Sequence, residues 1–125
     1  LAIFFITHVP ELLADFADRI FVMYAGRIIE TGKASELLRF PLHPYTRALL
    51  ACRPRLDSNH DGVRDEHLPV ISGDPPDPAL RQSCCAFEPR CPERVTICRE
   101  RLPSRTIVND MAEVRCFKFD AEKGN

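Results

Sequence analysis

Six cysteines, and a histidine that closes an apolar run, are the residues of this chain best suited to chemistry. Cys85, Cys91, Cys98 and Cys116 are separated by five, six and seventeen residues. Four thiolates suit a 4Fe-4S cluster or a zinc ion, since both are held by soft sulfur. Structural zinc sites favour a tight C-x-x-C type of chelate, which no pair among these four provides. The spacings also miss the common ferredoxin patterns, so the residues alone leave an iron–sulfur cluster, zinc and metal-free thiols all open. Cys84 adjoins Cys85 and reads as a spare thiol. Cys52, at the end of an apolar helix face, reads as a small core residue. His8 stands directly after Ala2–Ile6 and Thr7. Taken by itself, a histidine after a strand reads as a structural hydrogen-bonding group.

Other motifs invite chemistry and fail on spacing. Gly32-Lys33 resembles the end of a phosphate-binding loop, but the first glycine of G-x-x-x-x-G-K-[ST] falls on Arg27 and the last position is Ala34. Asp57, Asn59, Asp61, Gly62 and Asp65 match the first part of an EF-hand loop, yet Leu68 stands where a bidentate glutamate is required. That stretch reads as a solvated acidic insertion. Arg90, Arg94, Arg99, Arg101 and Arg105 lack the interleaved aromatic residues of a single-strand nucleic-acid platform. With a net charge of -1, nucleic acid is not an expected partner.

The elements that must position these residues follow from periodicity. Ala2–Ile6 is a continuous apolar run and predicts a strand buried on both faces. Pro10 then suits the first turn of a helix reaching about Ala17, with Leu12, Leu13 and Phe16 on one face. Residues 19–24 and 27–31 predict a β-hairpin turning at Ala25-Gly26 and ended by Gly32. A short helix over about 34–40 follows. A second is expected from Tyr45 to about Cys52, with His43 near its N-cap and Pro44 in its first turn. Arg53-Pro54 stops that helix. The proline-rich stretch to Leu80 reads as an irregular connector. Beyond Arg81, five cysteines with little periodicity predict a tail that needs an external staple. The longest apolar run, Leu1–Ile6, is six residues, far short of the roughly 18–20 that span a membrane. It also lacks the basic flank of a signal peptide, so metal or reactive thiols are expected rather than a disulfide framework.

Several of these segments together resemble a known family. Ile6-Thr7-His8, Ala17-Asp18-Arg19, Val22 to Ile28 and Glu30-Thr31-Gly32 resemble the end of an ABC-transporter nucleotide-binding domain. Pro41 to Leu50 resembles the signature of the oligopeptide/dipeptide importer branch, and Cys85, Arg90-Cys91-Pro92, Cys98 and Cys116 resemble its cysteine tail. The resemblance implies an α/β fold: a C-terminal remnant of an ABC ATPase domain (strand, helix, β-hairpin, short helices) followed by an irregular cysteine-rich tail. It divides the chain into 1–40, the end of the nucleotide-binding domain; 41–80, an importer-specific helix and connector; and 81–125, the cysteine tail.

The same resemblance implies roles. His8 would be the switch histidine that reaches the γ-phosphate and the attacking water, a donor aimed at developing charge. The family usually has an acidic residue and then Leu after this histidine, where this chain has Val9-Pro10. The phosphate loop and magnesium-binding groups for ATP and Mg are expected upstream of Leu1, so the fragment alone is not expected to hydrolyse ATP. The cysteine tail leans toward iron–sulfur. Expected partners are a second nucleotide-binding subunit, two transmembrane permease subunits and, indirectly, an extracytoplasmic peptide-binding protein. The expected place is the cytoplasmic face of the bacterial inner membrane. Di- or oligopeptides are the expected cargo, with nickel, sugars or other solutes as alternatives. The rival reading is a stand-alone metal-binding interaction module.

Overall fold

The computed structural model describes residues 1–52, 70–77, 79 and 83–120. Alternation builds its centre. In β1 (Arg19–Tyr24), Ile20, Val22 and Tyr24 point inward while Arg19, Phe21 and Met23 face out, the two-residue period of a half-buried strand. Ala25 (φ 48°) and Gly26 (φ 76°) form the turn, and two positive-φ residues match the twist of a tight hairpin. β2 (Arg27–Lys33) then pairs antiparallel with β1, from Tyr24↔Arg27 to Arg19↔Lys33, with a register shift after Val22. Gly32 does not end the hairpin but pairs with Ile20 inside it.

Two further strands come from the cysteine-rich end of the chain. β3 (Thr106–Asn109) and β4 (Ala112–Val114) form a second hairpin, and β4 pairs with β2 through Glu30↔Val114 and Thr31↔Glu113. The sheet order is β1-β2-β4-β3, all antiparallel. The expectation of a wholly irregular tail is therefore corrected. The β-branched run Thr106-Ile107-Val108, turning at Asp110, pairs back on β4, and β4 in turn pairs with the edge that β2 leaves open.

Two α-helices lie beside the sheet, α1 (Ala34–Leu37) and α2 (Pro44–Ala51). The core joins Ile20, Val22, Tyr24, Ile29, Ala34 and Leu37 to Phe87 of the cysteine-rich segment. Phe87 is 2% exposed and lies edge-on to Tyr24 at 5.3 Å and to Tyr45 at 5.5 Å, a geometry favoured by the ring quadrupoles. Arg90 adds a second tie. Its guanidinium donates to the carbonyls of Ile71 (2.9 Å) and Ser72 (3.0 Å) and to the Tyr24 hydroxyl (3.3 Å).

The first eighteen residues depart from expectation. Ala2–Ile6 is not a strand, and Ile3, Phe4, Phe5 and Ile6 are exposed. A strand buried on both faces needs neighbours to complete its ladder, and none pairs with it among the described residues. The helix expected to Ala17 is a single 3-10 turn, Pro10–Leu13. Its Leu12 and Phe16 are exposed, while Leu13 and Ala17 pack against the core, and so short a segment is marginal as a helix. The EF-hand-like positions 57–68 and most of the connector lie outside the described residues.

Candidate functional site

The cysteine site is assembled by short turns rather than by long elements. A 3-10 turn, Glu88–Arg90, separates Cys85 from Cys91, and another, Thr96–Arg99, contains Cys98. The backbone N–H of Cys85 donates to the Cys98 carbonyl at 3.0 Å, lacing the two turns together. Cys116 follows β4 directly, where Arg115 N–H donates to the Ile29 carbonyl at 2.8 Å. The result is one cavity of about 180 Å³ lined by Cys85, Cys91, Cys98 and Cys116. Four thiols spread over thirty-two residues of sequence thus share one space. Cys84 is not in its wall, and Cys52 is half-buried rather than part of the core.

Burial favours the protonated form of three of these thiols, Cys85, Cys91 and Cys116. The Cys85 thiol is pushed up to about 11 by desolvation, and Cys91 and Cys116 are raised for the same first reason. Each of the three also receives a hydrogen bond from the backbone N–H two residues on: Phe87 to Cys85, Glu93 to Cys91, Lys118 to Cys116. Those amides oppose the effect of burial without outweighing it, so the net shift of each of the three is upward.

Among the described residues, no group of three or more His, Cys, Asp or Glu could hold a metal ion. The space is more than ten times the roughly 10–15 Å³ that accommodates one water. Neither the zinc nor the iron–sulfur expectation therefore finds a preformed ligand set among the described residues.

Two carboxylates and their cations stand at the wall. Glu88, almost fully buried, meets Arg99 at 2.7 Å and Arg94 at 3.8 Å. Glu93 is bound by Lys118 and by Arg47 of α2 (2.5 Å). Lys118, then Arg47, hold its carboxyl below the usual range against the opposing effect of burial. These groups were not singled out from the sequence, although Cys91-Pro92-Glu93 and Cys116-Phe117-Lys118 each place a charge two residues after a cysteine. The basic residues noted from the sequence are engaged within the chain: Arg90 on carbonyls, Arg94 and Arg99 on Glu88, Arg105 on Glu113, and Arg101 over the Phe117 ring.

His43 also borders the cavity. Its Nδ1 accepts from Tyr45 N–H at 3.0 Å, so it is the N-cap residue expected for α2. His8 lies elsewhere in the fold. It is exposed, ahead of the 3-10 turn, where Val9 N–H donates to Thr7 Oγ1 at 3.0 Å. The described residues around it offer no phosphate cradle, and its role rests on the motif alone.

Both ends of this arrangement have counterparts in known proteins. The family model described as the oligopeptide/dipeptide transporter, C-terminal region, matches residues 29–98. The chain belongs to that family. A Brucella ovis protein named for peptide import and ATP binding is 42% identical over 116 residues, which cover 92% of this chain and 34% of the relative. The dipeptide transport ATP-binding proteins of Bacillus subtilis and Haemophilus influenzae are 39% and 38% identical, over 95% and 93% of this chain. The chain spans about a third of the length of these relatives, aligning with ATP-binding subunits of peptide importers along nearly all of its own. The rival of a stand-alone metal-binding module is not supported.

Proposed function

We propose that this chain is the C-terminal part of an ATP-binding subunit that couples ATP hydrolysis to uptake of di- or oligopeptides. The carrying observation is the family match over residues 29–98 combined with identity to named importer ATP-binding subunits over more than nine-tenths of the chain. His8 is the group that orients attacking water and γ-phosphate, with ATP and Mg held by residues outside this chain. A second nucleotide-binding subunit, two permease subunits and an extracytoplasmic binding protein complete the assembly at the cytoplasmic face of the inner membrane. No helix among the described residues is long and apolar enough to cross a membrane, which suits a peripheral subunit.

The test uses the full-length protein. His8→Ala should leave ATP binding largely intact and lower hydrolysis by roughly 10²–10³, the size of losing one transition-state donor. An unchanged kcat would remove His8 from the catalytic set, and absence of any ATPase in the wild-type protein would remove the whole reading.

For the cysteine cavity we infer a 4Fe-4S cluster on Cys85, Cys91, Cys98 and Cys116. The shared cavity and the three N–H donors aimed at sulfur favour it. Such a group would supply a rigid cross-link between two turns and the end of β4, and a site able to accept one electron.

A further inference from the structure

We propose that Arg27 and Arg115 form a carboxylate-binding site, at the turn end of the β1–β2 hairpin, that seats one aspartate or glutamate side chain of a partner chain. Its chemistry does not depend on what the cysteine cavity holds. Among the described residues, Arg27 and Arg115 are the arginines whose side chains meet no carboxylate, carbonyl, hydroxyl or aromatic ring. The others there all do, from Arg19 on the Thr31 hydroxyl and Arg39 over the Phe40 ring to Arg105 on Glu113.

Both arginines line one small cavity of about 30 Å³, whose apolar wall includes Ile29, Phe87, Leu102 and Pro103. No Asp or Glu stands in that wall among the described residues. The cysteine cavity differs, since Glu88 and Glu93 there are each met by cations. Strand register explains how a cation reaches the core side of the sheet. Arg27 lies opposite Tyr24, directly opposed residues share a face, and Tyr24 is buried in the core. Arg115 is fixed by its own N–H, which donates at 2.8 Å to the carbonyl of Ile29, two residues from Arg27. The start of β2 and the residue after β4 therefore bring two arginines to one opening.

Arg115 is half-buried, and a cation that loses water without gaining a partner is disfavoured. A carboxylate offers two oxygens to the planar guanidinium fork and can bind it bidentately. Space selects the size of the guest. At roughly 10–15 Å³ for each water, the cavity has room for about two. That suits the three-atom head of a carboxylate, with its methylene stem against the apolar wall, and excludes a whole nucleotide or peptide. The remainder of the chain that carries the acid stays outside.

Phenylglyoxal, which modifies accessible guanidines, tests this in the full-length protein, with the modified arginines located by peptide mass spectrometry. Arg27 and Arg115 should both react in the protein alone. The blocked peptide N-acetyl-Ala-Glu-Ala-amide, whose one carboxylate is the glutamate side chain, should slow both by about tenfold near saturation. The same peptide with Gln for Glu should slow neither, and Arg39, outside the cavity wall, should react at one rate throughout. Arg115→Gln should remove the protection of Arg27. Equal slowing by the Gln peptide, or protection of Arg27 that survives Arg115→Gln, overturns the proposal. Protection by free propionate with none by the blocked peptide overturns the partner chain as the source and leaves a site for small free carboxylates. Arginines that resist phenylglyoxal before any addition are already covered within the protein, which overturns the open site.

Discussion

Glu30 Oε2 accepts a hydrogen bond from the backbone N–H of His43 at 2.9 Å, while its Oε1 accepts from Leu42 N–H at 2.7 Å. A carboxylate in the middle of β2, 2% exposed, thus fixes the start of α2 onto the sheet. The same helix carries Tyr45, which packs on Phe87, and Arg47, which meets Glu93. Through α2 this buried acid is one of the ties between the sheet and the cysteine cavity, beside Phe87 on Tyr24 and Arg115 on Ile29.

Glu30→Ala should therefore destabilise the chain by about 2–4 kcal/mol, because one buried and one partly buried N–H group lose a charged acceptor. Glu30→Gln keeps one acceptor oxygen and should cost less. Urea unfolding of the three proteins gives the ordering. Equal stability of Glu30→Ala and wild type would show that water replaces the carboxylate freely.

His43 makes stability depend on acid. Burial, and secondarily the Arg47 charge, lower its pKa from 6.5 to about 4, against smaller opposing contributions from the Arg115 backbone and Glu93. A group depressed in the folded state contributes stability that is fully present above pH 6.5 and is lost as pH falls through about 4. The span corresponds to about 3 kcal/mol. His43→Asn retains a capping oxygen but does not titrate there. It should lower stability at pH 7 through lost packing on Phe87, yet show a flatter decline between pH 6.5 and 4 than the wild type. Parallel declines would assign the acid sensitivity to other groups.

Phe87 links the two halves of the sequence. Removing its ring should cost about 3–5 kcal/mol and speed hydrogen exchange in β1, at Val22 and Tyr24, rather than only near Cys85. Exchange confined to residues 83–99 would mean that the hairpin packs without this segment.

The parts legible from sequence were those governed by local rules. The alternation Ile20-Val22-Tyr24 and the Ala25-Gly26 turn specified the first hairpin, and His43-Pro44 specified the start of α2. Cys85, Cys91, Cys98 and Cys116 were grouped by the likeness of their segments to the importer tail, and they line one cavity. What escaped was non-local. Nothing near Thr106–Val114 says that β4 will pair with Glu30 and Thr31, more than eighty residues earlier in the chain. Phe87 looked like part of an irregular tail because its partners, Tyr24 and Tyr45, lie on other elements. Ala2–Ile6 failed in the opposite way: its composition suits a buried strand, but composition does not provide the neighbours that complete the ladder.

The cysteine site separates metal from packing as the source of order. Phe87 and Phe117 are buried, whereas Ile97 is only half-buried and Val108 exposed, so the turns 88–99 have few large apolar groups of their own. If a cluster staples them, its binding energy is part of their folding energy. Anaerobically prepared protein should be brown, with about four irons per chain. Cys91→Ser should abolish the colour and expose the turns to protease, while Cys84→Ala and Cys52→Ala, outside the cavity wall, should change neither. The β1–β2 hairpin should retain its exchange protection in Cys91→Ser, because Phe87 still fills its place between Tyr24 and Tyr45. Colourless protein with one zinc would replace the cluster by an ion site that rearranges the thiols. Metal-free protein whose turns resist protease as well as the wild type would assign their order to the Glu88–Arg99 and Glu93–Lys118 pairs instead.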